Sequence, residues 1–257
     1  MITNSHFYPK WDVPSNIKSI QTQRQSGSSN GYFSSFNLSY DVGDDPESVR
    51  SNLLTLNSIL PSNPYWLNQI HENTAIELPC EKKLLNADAS FTIQKNIVCA
   101  VRTADCLPIL LTNVDGDFVA AIHAGWRSLA SGIIENTLNK INSKSEIIAW
   151  LGPSIGEYHY EVGSHVFHVF TQNDPDSKHG FKQLPRNRHQ VLTYGNKYRL
   201  DLPKVALAKL RNKGVTKLFG GGADESFCTY RDNDLFYSYR RDGVTGRMAS
   251  LIWIDSK

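Results

Sequence analysis

A mixed α+β fold in a single domain spanning residues 1–257 is what the sequence predicts. Two observations carry this. Apolar strand-like runs and amphipathic helical segments interleave along the chain, but without the regular strand–helix–strand rhythm of a doubly wound sheet. The 257 residues are 40% hydrophobic, 11% aromatic and 20% charged, which suits a large packed core and not a disordered chain. No internal repeat or low-complexity tract interrupts the pattern.

The elements follow in order. Residues 1–40 are rich in Ser, Asn, Gln and Gly and read as strand pieces joined by turns or a long loop. GDDPESVRSNLLTLNSIL starts a helix, with Asp44 or Asp45 as cap, Pro46 in the first turn and Glu47 near the positive end of the dipole. PYWLNQI is an apolar strand candidate that ends at His71. IVCAVRTA and PILLTNV are strands on either side of Cys106, VDGD is a turn, and FVAAIHA is a strand that carries His123 near its end. SLASGIIENTLNKINS is an amphipathic helix with Ile133, Ile134, Leu138 and Ile141 on one side. EIIAWLGPSIG is a buried strand closed by a Gly-Pro break, and HYEVGSHVFHVFTQ is a helix. Residues 171–199 form a polar excursion, a surface loop or a lid. DLPKVALAKLRNKG is a helix with Pro203 in its first turn and a Gly stop. KLFGGG, LFYSYRRDG and RMASLIWI supply the last strands.

Composition excludes several classes. A net charge of +2, with Lys and Arg scattered, argues against nucleic-acid or membrane-surface binding. No run reaches the roughly 18 apolar residues of a transmembrane helix. The N-terminus lacks a secretory signal pattern, so the expected location is the cytoplasm. The four cysteines, Cys80, Cys99, Cys106 and Cys228, contain no CxxC pair and are expected to be reduced thiols.

The candidate chemistry lies in NQIHENTA, RTADCLPIL and AAIHAGWRS. His71, Cys106 and His123 offer two imidazoles and a thiolate, a three-ligand set that leaves a fourth position open on Zn²⁺. Their spacing matches no zinc finger, and on spacing alone a small buried Cys and two ordinary strand-end His residues compete with the metal reading. Context favours the site. Each residue follows an apolar run and precedes a break, so all three can emerge at one sheet edge, and Ala124 and Gly125 leave room for a substrate. The alternative is a Cys106 nucleophile activated by His123, with a third group orienting the imidazole. His71 discriminates, because a Cys–His pair does not need it.

NQIH, TADCLPILL, AAIHAGWR, GPSIGEYHYEVG and FYSYRRDGVTGRMASLIW resemble the YfiH or laccase-domain family, also called the multicopper polyphenol oxidase-like or peptidoglycan-editing-factor family. The resemblance runs from about Thr22 to Trp253. It implies mixed sheets packed between helical layers, similar to a toxin deamidase domain that uses a Cys–His pair. It also implies zinc on His71, Cys106 and His123, with these three residues in the catalytic centre. The implied activity is purine nucleoside phosphorolysis on adenosine, inosine, guanosine and methylthioadenosine, together with adenosine deamination. The family pattern TRxGGVS reads TQRQSGSS here, with Arg24 kept but Ser26 and Ser28 in place of Gly and Val. HAGWRG ends in Ser128, and Leu53 follows Asn52 where Arg is common.

Zinc with an open position activates water, the reagent for deamination, whereas phosphorolysis needs a cationic phosphate cradle. Arg24 in its Ser/Gly-rich loop, with Asn37, is the favoured phosphate site, and Arg127, Arg240 and Arg241 are further candidates. Asp105 either orients a ligand, acts as acid or base, or stabilises a turn. Glu161 and His159 are weaker candidates, and Tyr237 either stacks on a purine or packs in the core. Copper is the lesser metal, because multicopper oxidation needs more His ligands than the two of eight that fall in these motifs. The expected partners are purine nucleosides and phosphate, in a monomer or weak homodimer. The competing functions are a peptidoglycan-precursor editing enzyme, a Cys–His hydrolase and a non-enzymatic metal-binding protein.

Overall fold

The computed structural model describes residues 5–81, 84–185, 195–223 and 226–256. Its strands are β1 (His6–Phe7), β2 (Ile17–Thr22), β3 (Ala75–Glu77), β4 (Ala89–Thr92), β5 (Cys99–Thr103), β6 (Leu107–Asn113) and β7 (Val119–Ala124). They continue with β8 (Ile147–Leu151), β9 (Glu161–Gly163), β10 (Phe181–Gln183), β11 (Lys197–Leu200), β12 (Lys217–Gly220) and β13 (Met248–Ile254). The helices are α1 (Pro46–Asn57), α2 (Trp126–Ala130), α3 (Ile133–Ile141), α4 (Ser164–Asn173), α5 (Leu202–Asn212) and α6 (Tyr239–Asp242).

Three sheets result, in the orders β1-β2-β13-β5, β12-β8-β6-β7-β4-β3 and β10-β11-β9. The two larger sheets pack face to face, and the period-two alternation of their strands builds the layers. On β13, Ile252 and Ile254 point between the sheets, while Ala249, Leu251 and Trp253 point outward onto α1 residues such as Leu56. On β6, Leu110 faces the other sheet, while Leu107, Ile109 and Leu111 face the helical layer formed by α3 and α5. The expected sandwich of sheets between helices is thus what the chain builds, with the six-stranded sheet mixed and the four-stranded one antiparallel throughout, and no described helix is long and apolar enough to cross a membrane. All four cysteines are free thiols.

Local chemistry explains the helix ends. Asp45, not Asp44, caps α1 by accepting from Ser48 N–H at 2.9 Å. Asp201 does the same for α5 through Lys204 N–H. The segment read as one helix after Ser128 is two, because Gly132 turns left-handed at φ +86° between α2 and α3.

Other segments depart from expectation. PYWLNQI is not a ladder strand; it meets its neighbours only at single bridges, Tyr65 to Cys99 and Asn68 to Asn86. LFYSYRRDG is not a strand either, because Ser238 caps Arg241 N–H and starts α6. In HYEVGSHVFHVFTQ the helix begins only at Ser164, after Glu161–Gly163 has paired with β11. The 171–199 excursion contributes β10 and part of the third sheet, and its stretch 186–194 lies outside the described residues.

Candidate metal centre

β5 belongs to one large sheet and β6 to the other, so residues 104–106 carry the chain across the gap between them. Asp105 makes this step with a left-handed φ of +92°. Cys106 follows immediately, at the open end of the inter-sheet layer. His123 sits near the end of β7, opposite Pro108 of β6 and on the same strand face as Ala121 and Val119. His71 arrives from the irregular segment before β3, itself left-handed at φ +60°. Two loops and a strand end therefore converge, and one nitrogen or sulfur atom from each of His71, Cys106 and His123 lies within 4.8 Å of the others. Among the described residues this is the one group of three or more such ligands.

Asp88 organises the group. It is fully buried. Its Oδ1 accepts from His123 Nδ1 at 2.7 Å and from His71 N–H at 3.0 Å, and its Oδ2 accepts from Glu72 N–H at 2.7 Å. A carboxylate only accepts, so the Nδ1 of His123 carries the proton and Nε2 is left as the ligand nitrogen. His71 directs Nε2 at Cys106 Sγ, 3.9 Å away, and the two rings stand nearly perpendicular with centroids 4.7 Å apart. Gly125 closes one side, where a Cβ would stand 3.0 Å from Cys106 Sγ and 3.2 Å from His71 Cδ2.

Electrostatics favour a thiolate. Burial pushes the Cys106 thiol up, but the charge of His123 and hydrogen bonds from both imidazoles outweigh it and bring the group down to about 6. Burial likewise pulls His123 down, and Cys106 with Asp88 reverses this and raises it to about 9. Asp88 itself stays below the usual carboxylate range: burial opposes ionisation, but His123 and the backbone N–H groups of Glu72 and His71 prevail.

The centre opens into a cavity of about 490 Å³ whose walls include Ser39, Gln69, Arg102, Thr103, Tyr239 and Arg247. A larger cavity of about 690 Å³ lies around Cys228 and Arg231, is not lined by these three residues, and among the described residues gathers no comparable donor set.

The structure brings His71, Cys106 and His123 together, and the other candidates belong neither to this group nor to the walls of its cavity. Arg24 braces its own loop, donating to Ser34 O and Asn233 O with its guanidinium over Tyr237. In that loop Ser26 takes φ +66° where the family pattern has Gly, and Asn52 holds the turn by accepting from Ser28 N–H and donating to Asn37 O. Asn37 is fully buried and bonded to Ser39, Asp44 and Arg247 N–H. Arg127 stacks on Trp126. Arg241 is spent on Asp242 and on the carbonyls of Thr229, Tyr230 and Phe236, while Arg240 donates to Glu161 O. Asp105 is buried, accepting from Thr229 Oγ1 at 2.6 Å and Arg240 N–H at 2.6 Å. His159 stacks on Tyr230. Tyr237 is fully buried and donates to Phe33 O, so it is a core residue.

Sequence reasoning missed Asp88, Arg102, Tyr239 and Arg247. The available signal for Asp88 was a lone carboxylate opening the apolar run DASFT, which becomes β4.

Fold and site together define a class: two packed sheets with a His–Cys–His group where the chain crosses between them. The chain belongs to the family described as multi-copper polyphenol oxidoreductase laccase, which matches residues 18–255. It is 42% identical to a Haemophilus influenzae protein named purine nucleoside phosphorylase, over 96% of this chain and 98% of that one. It is 40% identical to Escherichia coli purine nucleoside phosphorylase YfiH, over 96% and 97% of the two chains. The crystal structure of a Neisseria meningitidis protein superposes with a TM-score of 0.87 at 38% identity, covering 98% of this chain and all of that one.

Proposed function

We propose that this protein is a zinc-dependent purine nucleoside phosphorylase that also deaminates adenosine, with inosine, guanosine and methylthioadenosine as further nucleoside substrates. The observation that carries the reading is the Asp88-anchored His71–Cys106–His123 group opening into a cavity with two arginines, in a chain closely similar to proteins named for this activity. The donor set fits zinc: two imidazole nitrogens, a sulfur that favours the thiolate, and a carboxylate behind one imidazole. When bound there, zinc supplies a Lewis acid with one open position.

The chain's own residues then do the following. Asp88 fixes the tautomer and direction of His123 and the backbone of His71. The exposed ring of Tyr239 offers a face on which a purine can stack at the cavity mouth. In phosphorolysis a phosphate oxygen bonds to C1′ as the C1′–N9 bond breaks, and the purine leaves with the bonding pair and takes up a proton. Positively charged groups beside the centre hold the attacking dianion in place.

A single three-ligand group among the described residues favours this reading over multicopper oxidation, which needs several ligand sets. A second reading draws on one observation. Cys106, His123 and Asp88 also stand in the order of a nucleophile, base and orienting acid, as in a Cys–His hydrolase or a peptidoglycan-precursor editing enzyme.

The test is hypoxanthine release from inosine by zinc-loaded protein, with and without phosphate, alongside His71→Ala. Phosphate-dependent release that the variant loses supports zinc-site phosphorolysis. Release that survives His71→Ala, or no release from wild type, overturns it and moves the Cys–His reading forward.

A further inference from the structure

Two guanidinium groups line the same cavity as the centre, and their charge is poorly matched by the protein. Arg102 is on β5 and its side chain is 16% exposed. One Nη donates to Ser39 Oγ at 3.1 Å, the other reaches Asp41 at 3.6 Å, and the guanidinium lies over Trp66. Asp41 is 81% exposed at its side chain, so it is a weak counter-charge. Arg247 donates one Nη1 group to Thr245 O and Gly246 O and, among the described residues, meets no carboxylate at ion-pair distance. Among the described residues no hydrogen bond engages its Nε or Nη2, and its guanidinium lies 6.0 Å from the centre of the Tyr239 ring on the wall of the same cavity. Burial disfavours both charged forms and outweighs the opposing charges, that of Asp41 on Arg102 and those of Cys106, Asp105 and Asp41 on Arg247, and Arg247 adds to the effect on Arg102. Two partly desolvated like charges side by side raise the free energy of the empty site, and a dianion between them lowers it.

Their positions are built, not incidental. Gln69 clamps the backbone of Arg102 from both sides, Nε2 donating to Arg102 O at 2.8 Å and Oε1 accepting Arg102 N–H at 2.7 Å. Asn37 Oδ1 accepts Arg247 N–H at 2.9 Å. Only Ile70 separates Gln69 from His71, so the clamp that sets Arg102 also sets the spacing between guanidinium and centre.

We infer that Arg102 and Arg247 form the oxyanion subsite of this cavity and that inorganic phosphate is its ligand. The inference rests on the phosphorolysis reading for its ligand, and it names which residues take the phosphate. Arg102 and Arg247 grip the tetrahedral anion from one wall while the centre and Tyr239 hold the nucleoside.

The test is calorimetric titration of inorganic phosphate into the zinc-loaded full-length protein, as wild type, Arg247→Gln, Arg102→Lys and the exposed-helix control Arg50→Gln. Inosine phosphorolysis is measured on the same samples. Expected are phosphate affinity and phosphate KM weakened about 10- to 100-fold in Arg247→Gln and Arg102→Lys, with inosine KM within about twofold and Arg50→Gln unchanged. Arg102→Lys keeps the charge but loses the planar fork, so it reads geometry in a fold the substitution barely disturbs. Phosphate binding unchanged in both variants, or absent from wild type, overturns the subsite. Wild-type binding that both variants lose, without any hypoxanthine release, leaves the subsite standing and overturns the phosphorolysis reading alone.

Discussion

Asp88 Oδ1 binds both imidazole-bearing residues of the centre at once, the ring of His123 at 2.7 Å and the backbone N–H of His71 at 3.0 Å. Asp88→Asn keeps an oxygen for one of these but turns an NH₂ toward the backbone donors of residues 70–72. Zinc affinity is expected to fall about 10- to 100-fold, measured by competition with a chromophoric chelator. Metal-free stability should fall by about 1–3 kcal/mol, because buried donors lose their acceptor. An unchanged zinc affinity would remove Asp88 from the site.

In the metal-free protein the thiolate–imidazolium pair sets a pH window. The Cys106 pKa is depressed, so its contribution to stability is present above the unfolded thiol value and is lost as pH falls through about 6. The His123 pKa is raised, so its contribution is complete below the unfolded imidazole value and is lost as pH rises through about 9. The ion pair therefore populates between these limits. Absorbance at about 240 nm, as the difference between wild type and Cys106→Ser, should rise across pH 6. A rise only near the ordinary thiol range would contradict the geometry.

Gly125 tests how closely the centre is packed. Its φ of −65° suits any residue, so Gly125→Ala acts only through its Cβ, against Cys106 Sγ and His71 Cδ2. Overpacking of this kind costs about 1–3 kcal/mol. Here it should appear as lower metal occupancy by elemental analysis, with the far-ultraviolet circular dichroism unchanged. Full occupancy in the variant would mean that the ligands have room to spare.

The strands that build the sheets were legible because they are buried on both faces and so read as continuous apolar runs: RMASLIWI, PILLTNV and FVAAIHA all became the strands expected. The candidates Cys106 and His123 were legible for the same reason, one lying between two such runs and the other near the end of a third. PYWLNQI misled because its apolar residues do pack inward, yet Gln69 pairs with β5 through its side chain and not through a backbone ladder. Arg102 carries no local signal, because Trp66 and Ser39 come to it from distant segments. Asp88 depends on contacts 17 and 35 residues away, which no local pattern records.

Asp105 has both carboxylate oxygens engaged, with Thr229 Oγ1 and Arg240 N–H, and α6 carries Tyr239 one position before Arg240. The residue beside Cys106 therefore ties the ring at the cavity mouth to the sheet crossing. Asp105→Asn can present its oxygen to Arg240 N–H and its NH₂ to the Thr229 hydroxyl, which accepts as well as donates. Asp105→Ala leaves both donors unmatched, at about 1–3 kcal/mol. A positioning role predicts that Asn retains most of kcat and the wild-type pH profile, while Ala raises the nucleoside KM and lowers the Tm. An acid–base role predicts instead that Asn and Ala lose kcat alike and that the limb of the pH profile belonging to this group disappears in both. Steady-state inosine phosphorolysis across pH, run beside thermal melts of the two variants, separates the cases, and equal loss of kcat in Asn and Ala at unchanged Tm would assign Asp105 to the chemistry.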